Sequence, residues 1–142
     1  NTQFVPGTDG NKMSKSKNNF INIFLPEKDL KKQIMSIKTD STPIESPKDP
    51  EICNVFKLFK LIASPKNISE MKENYLRGGM GYGEAKKLLL DIILTEYRLK
   101  RKKFNYYCSN PKEVDLALSE GAIKASKIAN EVLLRVRKSA GY

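Results

Sequence analysis

Apolar residues at helical spacing, cut apart by proline and glycine, constrain this chain more than any other feature of its sequence. Ile52, Val55, Phe56, Phe59, Ile62 and Ala63 recur every three or four residues, so they share one broad helical stripe, predicted over about 50–63. Leu30, Ile34 and Ile37 share a face from Pro26 onward, where proline suits a first turn and Glu27 and Asp29 complement its positive end. Ile68, Met71, Tyr75 and Leu76 form a third stripe, stopped by Gly78 and Gly79. Ala85, Leu88, Leu89, Ile92, Ile93 and Tyr97 form a fourth, which runs into the basic stretch from Arg98. A last segment starts at Pro111, with Asn110 as its capping candidate and Gly121 as a bend point. It carries Leu118, Ala122, Ala125, Ala129, Val132, Leu133 and Val136, a stripe expected to be bundle core. Pro43, Pro47 and Pro50 deny regular structure to residues 39–50. Several amphipathic helices on short loops make an all-α bundle.

Composition narrows the chemistry. The 142 residues carry 26 Lys and Arg against 16 Asp and Glu, a net charge of +10 that suits a polyanionic partner or simply a soluble basic surface. The absence of histidine excludes imidazole acid–base chemistry and histidine metal sites from these residues. Cys53 and Cys108 fit no metal or redox spacing and are expected to be buried free thiols. No apolar run approaches the roughly 18 residues of a membrane span. No secretory leader is visible, and a cytoplasmic location is expected.

The sharpest motif is Lys12-Met13-Ser14-Lys15-Ser16. Two ammonium groups three residues apart, two hydroxyls and free backbone N–H groups can surround a polyphosphate and neutralise charge building on a leaving group. Gly7 and Gly10 offer hinges for such a loop. Residue types alone leave this reading open beside that of a solvated basic loop.

The same five residues match the second signature of class I aminoacyl-tRNA synthetases. With Pro6-Gly7-Thr8-Asp9-Gly10 before them and Lys17-Asn18-Asn19 after, they resemble the tryptophanyl enzymes of the bacterial and organellar type. The related tyrosyl enzymes more often carry Gly-Asn where Asn18-Asn19 stands. The likeness continues through Ile34–Ser41, Gly79–Lys87 and Glu120–Gly141, and so covers nearly the whole chain.

That resemblance implies activation of tryptophan with ATP and magnesium to tryptophanyl adenylate, then transfer to tRNA(Trp), by a parent enzyme expected to be a homodimer. It implies contact of Lys12 and Lys15 with the triphosphate, and an ATP loop shaped by Met13, Ser14 and Ser16. It also implies a division into residues 1–25, the end of a Rossmann-like catalytic domain, and 26–142, a helical anticodon-binding domain. The family's first signature contains two histidines and this sequence has none. The chain is therefore expected to be a C-terminal fragment, inactive alone.

Arg98, Lys100, Arg101, Lys102 and Lys103, followed by Phe104, Tyr106 and Tyr107, combine phosphate-seeking charge with rings that stack on bases, and are the tRNA-binding candidates. The competing reading is a solvated helix end whose cations suit the C-terminal dipole and whose rings are buried. Gly79–Gly83 lacks a preceding strand and reads as a turn admitting positive φ, not as a phosphate loop. Three alternatives stand beside the main reading: a tyrosyl-enzyme fragment, a stand-alone helical RNA-binding module and a helical protein-interaction domain.

Overall fold

The computed structural model describes residues 4–142. Six helices follow in order: α1 (Glu27–Met35), α2 (Asn54–Lys60), α3 (Pro65–Arg77), α4 (Tyr82–Glu96), α5 (Arg98–Ser109) and α6 (Pro111–Ser139). Among the described residues the β pairing consists of one isolated bridge, Pro6 to Lys12. The all-α expectation holds. The chain forms two compact units, one ending at Arg101 and one spanning Lys102–Tyr142.

The first unit is built on α4, against which both α1 and α2 pack. Leu30 and Ile34 of α1, Val55, Phe56 and Phe59 of α2, and Ala85, Leu89 and Ile93 of α4 are buried together. Each large side chain among them removes enough apolar surface from water to stabilise the fold by about 1.5–3 kcal/mol. α3 adds Met71 and Tyr75, whose ring lies 5.9 Å from that of Phe56. Burial pushes the Tyr75 hydroxyl well above the ordinary phenol range, and the hydroxyl meets the Cys53 thiol at 3.4 Å. Cys53 is buried as expected, but Cys108 is exposed.

Helix ends explain where the stripes mislead. α3 begins at Pro65, before the first apolar position, because Ser64 accepts a hydrogen bond from the Asn67 N–H and proline fits the first turn. α2 is shorter than its stripe, since Asp49 and its neighbours hold residues 49–51 in a turn. Gly78 and Gly79 both have positive φ, 81° and 87°, so the glycine junction is the turn expected of it. A Cβ on Gly78 would stand 2.3 Å from the Glu45 carbonyl oxygen, so the proline-rich segment crosses here against bare backbone.

That segment has an organiser that sequence reading missed. Lys48 is only 3% exposed, and its ammonium donates to the carbonyls of Pro43 (2.8 Å), Ile44 (3.2 Å) and Ser46 (3.1 Å). It also sits 5.4 Å from the Tyr82 ring, a cation–π contact. Prolines cannot donate from their backbone, and the lysine supplies donors instead. Tyr82 donates to Asp40 at 2.8 Å, and its hydroxyl is pushed up to about 12 by burial and that bond. Lys86, one of the lysines after the glycine junction, is also buried and donates to the Met35 carbonyl at the end of α1. Desolvation lowers its pKa.

Two expectations change in the rest of the chain. The basic stretch is not the end of the fourth helix. The backbone breaks at Tyr97 and Arg98 opens α5, so the cations near its start oppose the helix dipole. In α6 no residue is buried, including the whole stripe expected to be core, and Gly121 leaves the helix continuous. Asn110 does not cap α6 through its side chain; its amide donates to the Tyr106 carbonyl at 2.8 Å.

Replacing Lys48 by Met should lower stability by about 2–4 kcal/mol, because it strands carbonyls that the ammonium now satisfies. Lys57→Met on the exposed side of α2 should stay within about 0.5 kcal/mol. Urea unfolding of both variants measures the difference, and equal midpoints would remove Lys48 from this role.

Candidate functional site

The signature segment lies in a loop that folds back on itself ahead of α1. The Met13 N–H donates to the Val5 carbonyl (2.9 Å) and the Gly7 N–H to that of Asn11 (2.7 Å), which doubles residues 5–13 into a narrow bend. The Asn18 N–H then donates to the Lys15 carbonyl at 3.1 Å. Asn18 itself has φ 51°, the left-handed conformation that asparagine tolerates better than most residues. The loop is fastened to the helices by the Lys38 N–H, which donates to the Thr8 carbonyl at 2.7 Å.

Met13 turns inward and packs against the helical core, while Lys12, Lys15 and Ser16 are exposed and Ser14 is half-buried. Neither signature lysine forms an ion pair among the described residues. The Ser14 and Ser16 hydroxyls are 2.8 Å apart. The result is an anchored loop with two free ammonium groups and adjacent hydroxyls, a geometry able to receive phosphate oxygens.

Two residues outside the signature hold it. Asn19 is 3% exposed, and its Oδ1 accepts the Ser14 N–H at 2.8 Å. Its Nδ2 donates to the Asp9 carboxylate (2.7 Å) and to the Lys12 carbonyl (3.1 Å). Asp9 also accepts the backbone N–H and side-chain amide of Asn11, and these bonds with that of Asn19 hold its carboxyl at about 2. Gly7 and Gly10, read as hinges, are points of close approach. A Cβ on Gly7 would lie 2.5 Å from the Asn19 carbonyl oxygen, and one on Gly10 2.6 Å from the Asn54 amide nitrogen. The turn-forming residues flanking the signature were the available signal for this knot; their pairing was not.

A family model for class I tRNA synthetases of the W and Y type matches residues 1–97. The chain belongs to that family. The match contains the loop and α1–α4, the part built around the common core. The chain is also similar to the tryptophan–tRNA ligase of Campylobacter jejuni, with 44% identity over 137 residues, covering 96% of this chain and 43% of that protein. The tryptophan–tRNA ligase of Fusobacterium nucleatum is likewise 44% identical over 137 residues, with 96% and 42% covered. A crystal structure of the tryptophanyl-tRNA synthetase from Campylobacter jejuni, complexed with ADP and tryptophan, matches with a TM-score of 0.94 and 43% identity. It covers 99% of this chain and 44% of that one. The chain thus spans less than half the length of these synthetases.

The tRNA candidates lie apart from the loop in sequence and differ among themselves. In the first unit, Arg101 donates from its guanidinium to the carbonyls of Ile23 and Leu25, so it ties the end of the unit to the segment before α1. Arg98 and Lys100 are exposed, Lys100 lying 5.3 Å from the Tyr97 ring. In the second unit, Lys102 and Lys103 are exposed, and Lys103 lies 5.7 Å from the Tyr107 ring. Phe104, Tyr106 and Tyr107 are exposed rather than buried. No helix of the described residues is long and apolar enough to cross a membrane.

The loop should loosen in acid. The Asp9 carboxyl is depressed from 3.8 to about 2, so its contribution is fully present above the ordinary carboxylate pKa and fades as pH falls through that interval. NMR of the Asn19 side-chain amide between pH 5 and pH 1 should show this transition, and Asp9→Asn should abolish it. A transition that survives the substitution would assign it to another carboxylate.

Proposed function

We propose that this chain is the C-terminal part of a tryptophan–tRNA ligase, supplying the triphosphate side of the activation site and a helical domain for tRNA. The observation that carries this reading is the intact signature on a core-anchored loop, in a chain 44% identical to tryptophan–tRNA ligases over 137 residues. In the full-length enzyme the tryptophan carboxylate attacks the α-phosphorus of ATP, forming tryptophanyl adenylate and releasing pyrophosphate. The tRNA(Trp) terminal hydroxyl then attacks the adenylate carbonyl and displaces AMP. Residues 1–25 belong on this reading to the catalytic domain and 26–142 to the helical, anticodon-binding domain.

Lys12 and Lys15 are assigned to the negative charge that develops on the departing pyrophosphate. Ser14, Ser16 and the backbone at Met13 shape the surrounding loop. An exposed ammonium on an anchored backbone needs little reorganisation as that charge builds, the condition for preferential transition-state stabilisation. Magnesium would supply further charge neutralisation on the phosphates. Among the described residues no group of three carboxylate, cysteine or histidine side chains converges to hold a metal ion.

The exposed cations Arg98, Lys100, Lys102 and Lys103 are assigned to tRNA phosphates, and the exposed rings after them to base stacking. Arg101 was a candidate in the same run, but its donors already engage backbone carbonyls, so it is assigned to the fold first. Such contacts make affinity fall steeply with added salt. The full-length enzyme is proposed to be cytoplasmic and homodimeric.

Lys15→Ala in the full-length enzyme should slow adenylate formation about 100-fold, with a smaller change in KM for ATP. Lys12→Ala should act in the same direction. ATP–pyrophosphate exchange measures both, and wild-type rates in both variants would end the assignment. The 142-residue chain alone should show no exchange.

A further inference from the structure

We infer that Asn19 is a positioning residue for adenylate formation, fixing the backbone that presents the two signature lysines. The inference rests on the function proposed above and extends it to a side chain outside the signature. Asn19 uses both ends of its amide on the segment between the lysines. Its oxygen takes the Ser14 N–H at 2.8 Å, and its nitrogen gives to the Lys12 carbonyl at 3.1 Å. The second hydrogen of that nitrogen reaches Asp9 at 2.7 Å, which fixes the plane of the amide. Meanwhile its own carbonyl receives the Thr8 N–H at 2.8 Å, and Gly7 leaves bare backbone where Asn19 packs.

These contacts brace one short stretch from both sides. Lys12 and Ser14 flank Met13, which is held by the core, so three successive residues have fixed anchors. Lys12 leaves this braced stretch directly and Lys15 follows it by one bond. Displacement of charged groups by about 1 Å is enough to cost on the order of 100-fold in rate when the chemistry depends on alignment. Asn19 has its polar atoms engaged within the protein, so its loss should act through the lysines rather than through direct contact with nucleotide. That separates it from Lys12 and Lys15.

The test is ATP–pyrophosphate exchange by the full-length enzyme, with Asn19→Ala, Asn19→Asp and Lys15→Ala assayed together well below their melting temperatures. Asn19→Ala and Asn19→Asp should each lower kcat about 10- to 100-fold while KM for ATP moves less than about threefold. The aspartate variant sets two carboxylates against each other. The exchange Asp9→Asn with Asn19→Asp relieves that repulsion but leaves the Lys12 carbonyl without its donor, so it should restore Tm while kcat stays at least about tenfold low. Unchanged kcat in Asn19→Ala, beside a slow Lys15→Ala, would overturn the inference and leave the functional reading standing. A fast Lys15→Ala would overturn both. A double exchange that restores kcat along with Tm would reduce Asn19 to a structural role and overturn the inference. Hydrogen exchange in the full-length enzyme gives an independent reading. The Ser14 amide should be protected and should exchange at least about tenfold faster in Asn19→Ala. Equal protection in the two proteins would also overturn the inference.

Discussion

The packing of α1 and α2 against α4 is the constraint on which the first unit depends. Among the described residues, those N-terminal to α1 lack regular structure beyond one bridge, and residues 4–25 could not bury enough surface to order themselves. They are ordered by what they touch: Met13, Ile21, Ile23 and Leu25 pack against the helical core, and Thr8 receives the Lys38 N–H. The signature segment is thus carried on the flank of a bundle whose stability comes from elsewhere. The arrangement separates tasks, since the exposed lysines contribute little to folding and the half-buried methionine between them contributes no charge.

The family match stops at residue 97, where α4 ends and the backbone breaks before α5. Beyond it the similarity to tryptophan–tRNA ligases continues over nearly all of the chain. The helices of that later part carry an apolar face with nothing buried and a surface rich in cations. An exposed apolar stripe of this extent is unusual for a finished surface.

Periodicity made the all-α architecture legible, because a stripe at helical spacing encodes which residues share a face. It did so for Leu30 with Ile34 and for Leu89 with Ile93, all buried. It could not encode what covers a face, and α6 therefore departed from expectation while its helix was correctly foreseen. The chemical signature was legible by resemblance to a family, and its exposed lysines by composition. Asn19 and Lys48 were not, since each works through hydrogen bonds to backbone atoms whose positions only the folded loop defines. The basic run was visible as charge, but the separate engagement of Arg101 depends on a carbonyl pair 76 and 78 residues earlier.

Lys48 and Lys86 are buried and direct their amines at main-chain carbonyls. Both count toward the formal charge, yet neither faces solvent as Lys12 and Lys15 do. To an amine-selective reagent the chain is therefore not a uniform field of lysines. The signature-loop amines would be acylated early, whereas these two would be reached only as the fold opens, making their delayed labelling an internal clock for its loss.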